Sequence, residues 1–215
     1  MSKSASNANG VEPSAIIANG AFAASGQRTY VVFGVPRGGT TMVAGVMRAL
    51  GVFMGDDVDP ANQEDPLFNF HRNAGDLDVV RGAIANRNAR FETWGWKFPG
   101  AVHQLPNYFD EIRAPHLICV YRDSVANARR GIGRAGLTDF ERIDVHIRLM
   151  RKNYTFLARS GAPSLSVSYE KALTKPLAFV AELAGHLGVE PDFKAFDFEG
   201  FMSPASYKSF DDYRR

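Results

Sequence analysis

A chain of 215 residues, 45% hydrophobic and 22% charged, is long enough to bury a substantial core and suits one globular domain. Its formal net charge of +2 leaves no global field that would recruit nucleic acid or a membrane surface. The single cysteine, Cys119, excludes an intramolecular disulfide framework and a cysteine-rich metal site, and within the apolar run 117–121 it reads as a buried structural thiol.

The first 27 residues are rich in Ser, Ala, Asn and Gly and lack the charged start and long apolar middle of a secretory signal. They read as a flexible leader, with a short helical turn around 15–18, ahead of one domain over 28–215. No apolar stretch approaches the roughly 20 residues that span a bilayer, so the expectation is a cytoplasmic protein with no transmembrane segment.

Five apolar runs follow, at 29–34, 51–54, 93–98, 116–121 and 165–169, separated by longer helix-compatible segments. The alternation predicts an α/β fold: three layers, α/β/α, around a mainly parallel central sheet. The first run enters Gly34-Val-Pro-Arg-Gly-Gly-Thr-Thr41 and then a helix with Val43, Val46, Met47 and Leu50 at helical spacing, stopping at Gly51. A strand, a glycine-bounded turn and a helix N-terminus make an anion cradle, because backbone N–H groups converge where the helix dipole is positive. Gly34 to Gly39 and the Thr-Thr pair keep the spacing of the P-loop, G-x-x-x-x-G-K-[ST]. Thr40 stands where that motif has lysine, and the positive charge is Arg37 inside the loop.

Further along, the 116–121 run ends in Arg122-Asp123 and leads to a helix with Val125, Ala128, Arg129 and Arg130. Thr138 and Glu141 form a capping box for a long helix whose apolar stripe is expected at Ile143, Ile147, Met150, Tyr154 and Leu157. Another helix is predicted from about Pro176 to Leu187, ending at Gly188. Trp94 and Trp96 share one face of a strand and read as core. No metal-ligand spacing is present, and no metal is expected.

The stretch Pro36-Arg-Gly-Gly-Thr-Thr41 resembles the 5′-phosphosulfate loop of the sulfotransferases that use 3′-phosphoadenosine 5′-phosphosulfate (PAPS). That resemblance implies a P-loop-like fold, PAPS as co-substrate, and Pro36, Arg37, Gly38, Gly39, Thr40 and Thr41 as residues that grip its 5′ end. In the same family a strand leads into Arg-[Asp/Asn]-Pro with a serine eight residues after the arginine, and those two side chains bind the 3′-phosphate. Arg122 matches the first; Ser124 replaces the proline, and Arg130 takes the place of the serine. A guanidinium can satisfy a phosphate, and the two arginines can share a ligand if Arg122 lies at the strand end ahead of the helix. The alternative is that Arg122 pairs with Asp123 or a neighbouring carboxylate, while Arg129 and Arg130 form a solvated face. Tyr169-Glu170 is similar to the family's strand–Tyr-Glu junction and reads as structural.

Sulfuryl transfer needs a base for the acceptor, cations on the sulfuryl oxygens and in-line geometry. Arg37 and Lys97 are the candidate cations; Lys97 resembles the family's Lys-x-[Pro/His] strand end. Pro99 stands where one branch has its histidine base, which turns attention to Glu64, in a Glu-x-x-x-Phe context similar to that of the carbohydrate branch. Asp65 is a second carboxylate that could act as base or cap a helix beginning at Pro66, and His71 and His103 are secondary base candidates.

The expected activity is therefore PAPS-dependent sulfation of a hydroxyl or amine on a small-molecule, lipid or carbohydrate acceptor, with no nucleic-acid partner. A P-loop small-molecule kinase and a catalytically degenerate nucleotide-binding scaffold are the alternatives. The acceptor pocket is expected in the loops 53–70 and 202–210, whose aromatics are Phe68, Phe70, Tyr207 and Phe210. Neither acceptor identity nor oligomeric state is encoded legibly.

Overall fold

Residues 14–22, 26–130, 136–204 and 209–215 are described by the structure, a computed structural model. Five strands form one sheet: β1 (Ile16–Asn19), β2 (Arg28–Gly34), β3 (Thr93–Lys97), β4 (Pro115–Tyr121) and β5 (Ser164–Ser168). Their order is β1-β5-β4-β2-β3; β1 is antiparallel to β5 and every other pairing is parallel. Two expectations give way here. The segment 15–18 is not a helical turn but most of edge strand β1, so the stretch read as leader contributes to the sheet; residues 1–13 and 23–25 of that stretch lie outside the described residues. The run 51–54 is no strand either, touching the sheet through a single bridge from Phe53 to Trp94.

Helices cover both faces. Along β2, Tyr30 and Val32 join the core with Ile118, Val120, Leu165 and Val167, under α1 (Thr40–Ala49). The intervening Val31 and Phe33 join Leu117, Cys119, Trp94 and Trp96, packed with α2 (Leu77–Arg90). This is the period-two alternation of a strand buried on both sides. Beyond β4 come α3 (Ser124–Arg129), then α4 (Asp139–Ser160), α5 (Tyr169–Thr174), α6 (Pro176–Leu187) and α7 (Phe198–Met202). Cys119 lies in the core, where burial pushes its thiol up to about 12.

α4 carries the expected capping box between Thr138 and Glu141, but only part of the expected apolar stripe, with Leu157 buried and Ile143 and Met150 half-buried. Its buried face is His146, Asn153 and Leu157, whereas Ile147 and Tyr154 are 52% and 62% exposed and Phe140 is 86% exposed. The polar residues of this face have their own surroundings: His146 Nε2 lies 3.1 Å from the Arg122 carbonyl, and Asn153 lines a cavity described below.

At the start of β4, His116 is buried with Nδ1 2.9 Å from the Ala114 carbonyl and its ring edge-on to Phe22. Burial lowers its pKa below the ordinary 6.5; the Ala114 bond opposes this and Arg28 adds to it. With the folded value depressed, the unfolded chain binds the proton more readily between that value and 6.5, so stability falls as the pH drops through this window. The melting temperature is expected to decline from about pH 7 to about pH 5.5, and to decline less in His116→Gln. Equal declines in both proteins would assign the effect elsewhere, for example to His103, which is shifted in the same direction.

Candidate active site

Parallel strands of an open α/β sheet present their carboxyl ends to one side, and ligands bind in the crevice there. β2 ends in the glycine loop, β3 ends in Lys97, β4 runs into Arg122, and β5 runs into Tyr169. Register holds them level: Val32 pairs with Lys97, Gly34 with Val120, and Tyr121 with Ser168. Residues far apart in sequence, Arg37 and Tyr169 among them, thereby border one cavity of about 230 Å³.

The loop is shaped by backbone geometry. Arg37 adopts a left-handed conformation, φ 65°, which costs a non-glycine residue about 1–2 kcal/mol. Gly39 follows at φ 96°, and a Cβ there would collide with the Tyr169 ring, so glycine is required on both counts. Gly38 donates its N–H to the Val35 carbonyl at 2.8 Å and is not among the residues lining the cavity. Asn127 of α3 supports the turn from below, its Nδ2 donating to the Pro36 carbonyl at 3.1 Å. α1 starts with no side-chain cap; Met42 N and Val43 N donate to the Gly39 carbonyl at 3.1 and 3.4 Å, and the N–H groups of Thr40 and Thr41 precede them at the positive end of the helix. Thr40, in the place of the P-loop lysine, is buried with its methyl against Gly34.

Pro36, Arg37, Gly39, Thr40, Thr41, Glu64, Lys97, Arg122 and Arg130 all line this cavity. Among the described residues, four cationic side chains therefore face one carboxylate, Glu64. Arg122 lies between the end of β4 and Asp123, the N-cap of α3, and so ahead of the helix, and it borders the same cavity as Arg130. Its Nη1 donates to the Arg37 carbonyl at 2.9 Å and its Cζ sits 4.5 Å from the centroid of the Tyr169 ring. Burial lowers the Arg122 pKa first and the charge of Arg130 next; Tyr169 and Glu170 oppose them, and Arg37 adds a smaller lowering. Glu170 approaches Arg122 Nε only to 3.8 Å, and Asp123 instead caps Ala126 N at 2.7 Å. Arg129 is exposed, while Arg130 is half-buried in the cavity wall.

Lys97 is 2% exposed, with Nζ donating to Glu64 Oε1 at 2.8 Å and to the Asn62 carbonyl at 2.9 Å. Burial pulls its ammonium below the ordinary lysine range, and Glu64 beside it pulls back. The other carboxylate oxygen, Oε2, accepts from Asn69 Nδ2 at 2.7 Å. The loop carrying Glu64 is built from its own side chains: Asn62 Oδ1 accepts from Glu64 N, and Asp59 Oδ1 from Ala61 N and Asn62 N. Asp65 turns away, capping a short 3₁₀ turn at Leu67 N and pairing with the buried Arg87 of α2. That position removes it from the candidate bases.

His71 and His103 border a second cavity of about 450 Å³, which shares Pro36, Glu64 and Pro99 with the first. Of the aromatics expected to form an acceptor pocket, Phe70 lines this cavity. Phe68 is stacked on Trp96 in the core, Phe210 is buried with Phe196, and Tyr207 lies outside the described residues. Asn69, Asn127 and Tyr169 are the site residues that sequence reasoning did not pick out; a Tyr-Glu pair directly after a predicted strand was the one signal, and it read as structural.

No family model matches the chain, and no curated protein matches it. Among solved structures, the sulfotransferase domain of the olefin synthase of Synechococcus PCC 7002 superposes with a TM-score of 0.57 at 14% identity, over 86% of this chain and 84% of that one. The sulfotransferase domain from the curacin biosynthetic pathway superposes with a TM-score of 0.51 at 12% identity, over 79% of this chain and 77% of that one. At such identities the likeness speaks to architecture, and the architecture of this chain is the sulfotransferase fold.

Proposed function

We propose that this chain, built on the sulfotransferase fold, transfers a sulfuryl group from PAPS to a hydroxyl or amine of a small acceptor. The observation that carries the reading is Glu64: it stands on the wall between a cation-rich cavity and an apolar one, with Lys97 bonded to it. The excess of cations over carboxylates in the first cavity fits a donor bearing several negative charges, and the uncapped first turn of α1 suits its 5′ end. The lysine that would reach a third phosphoryl group is absent at Thr40, which disfavours the kinase alternative.

When bound, the donor supplies a sulfuryl group whose S–O bond to phosphate breaks with the electron pair left on the phosphate. Arg37 and the amides of residues 39–41 hold the 5′ end, and Arg122 and Arg130 hold the 3′-phosphate. Glu64 takes the acceptor proton as the acceptor oxygen or nitrogen bonds to sulfur; each carboxylate oxygen retains a lone pair beyond its bond to Lys97 or Asn69. Lys97 stabilises the negative charge that gathers on the transferred oxygens.

Calorimetry with the desulfated product, 3′-phosphoadenosine 5′-phosphate (PAP), and with AMP and ATP plus Mg²⁺ tests the reading. PAP is expected to bind more tightly than AMP or ATP. Arg130→Ala is expected to weaken PAP by about tenfold to a hundredfold, the worth of a charge-assisted hydrogen bond, and to leave AMP nearly unchanged. A preference for ATP, or equal losses for PAP and AMP, would overturn the donor assignment.

A further inference from the structure

The second cavity differs from the first in kind. Its walls include Phe70, Phe98, Val102 and Leu149, and neither lysine nor arginine is among its lining residues. At about 450 Å³ it falls within the roughly 300–1,000 Å³ typical of small-ligand pockets. Glu64 stands where it meets the donor cavity. Within it, Asn153 of α4 is 2% exposed, lines the space, and makes no side-chain hydrogen bond among the described residues. Its amide atoms are not among the sealed polar atoms of the interior, so they stay open to this space, where a ligand carbonyl or hydroxyl can bond them. His103 is tied outward, its Nδ1 accepting from Lys152 Nζ at 2.7 Å, so its ring faces the cavity as an uncharged group. Burial and the Lys152 charge both lower its basicity, in keeping with that bond.

Resting on the donor reading above, we propose that this cavity takes an uncharged acceptor with an apolar body, a hydroxyl presented to Glu64, and a carbonyl or second hydroxyl bonded by the Asn153 amide. Sugars are disfavoured because the surface of the cavity is mostly apolar, and the polar groups on it (Glu64, His71, His103, Gln104 and Asn153) can pair only part of a sugar's hydroxyls. Anionic acceptors are disfavoured because no lysine or arginine lines the space and Glu64 repels them. The polar inward face of α4 then serves recognition, with Asn153 setting which apolar alcohols are held.

The test titrates four probes into the protein, with and without saturating PAP: 4-hydroxybenzophenone, 4-benzylphenol (which lacks the carbonyl), 4-hydroxyphenylacetate and N-acetylglucosamine. 4-Hydroxybenzophenone is expected to bind most tightly, by about threefold to tenfold over 4-benzylphenol, the worth of one hydrogen bond. That ratio should fall to about one in Asn153→Leu, with Asn153→Ala as a second variant and thermal melts confirming that each folds. The proposal is overturned if the ratio survives both substitutions, if the sugar or the carboxylate binds best, or if none of the four probes binds. Failure of PAP to bind, with the phenol preference intact, would instead remove the donor reading and leave the cavity assignment standing.

Discussion

Replacing Glu64 by glutamine is expected to lower turnover by about 10²–10⁴-fold, the usual worth of a positioned proton acceptor, while PAP affinity changes little. Glutamine keeps the length of the side chain and can still accept from Lys97 through its carbonyl oxygen. It cannot take a proton at neutral pH. Its –NH₂ would also face Asn69 Nδ2, and Asn69 cannot turn its amide over without giving up the bond from His71 N to its Oδ1, now 3.0 Å. Lys97 would lose the carboxylate bonded to it while remaining buried, so its ammonium should titrate lower still. The measurement is single-turnover sulfation of a phenolic acceptor by folded protein, alongside PAP calorimetry. A loss smaller than tenfold would remove Glu64 as the base, whereas a parallel collapse of PAP binding would mark it as a structural partner of Lys97.

Arg87→Ala should have the largest effect on stability. Arg87 and Asp65 are both buried, and the guanidinium lies 5.0–5.5 Å from the ring centroids of Phe53, Phe68 and Trp94. Removing the arginine strands the Asp65 carboxylate without its counter-charge, a change that costs about 3–5 kcal/mol in comparable buried pairs. That is a large share of the roughly 5–15 kcal/mol that holds a typical domain together. Because Asp65 directly follows Glu64, sulfation should fall with stability. Equilibrium denaturation measures the loss, and the double variant Asp65→Asn/Arg87→Leu should regain part of it by removing both charges. A loss below about 1 kcal/mol in Arg87→Ala would mean that water or another group satisfies Asp65.

What could be foreseen in the chain was what local sequence dictates. Gly39 combines a left-handed backbone with no room for a Cβ against Tyr169, and a glycine at that spacing announces itself beside Arg37 and the Thr-Thr pair. The Thr138–Glu141 capping box and the Gly188 stop likewise lie within a few residues of the structure they specify. Parts of the site that depend on long-range neighbours were not visible. Asn69 and Asn127 are ordinary loop and helix residues until the fold places them beside Glu64 and Pro36. α2 buries Arg87 together with Val80 and Ile84, which blurs its apolar periodicity. α4 misleads in the opposite sense, since its regular row of large apolar residues is partly exposed while His146 and Asn153 are buried. β1 escaped because four residues at a sheet edge, three of them exposed, carry no alternation to read.

One carbonyl oxygen ties these parts together. Asn62 O accepts from Lys97 Nζ at 2.9 Å and from Thr41 Oγ1 at 3.1 Å, so the peptide two residues before Glu64 is fastened both to a strand end and to the first turn of α1. On the proposed reading, a donor that orders that turn also restrains the segment carrying Glu64, and an acceptor that orders Glu64 restrains the turn. The proposed function therefore predicts thermodynamic linkage between the two cavities: whatever factor one ligand applies to the affinity of the other is returned in equal measure, with a single shared acceptor atom as the hinge of that reciprocity.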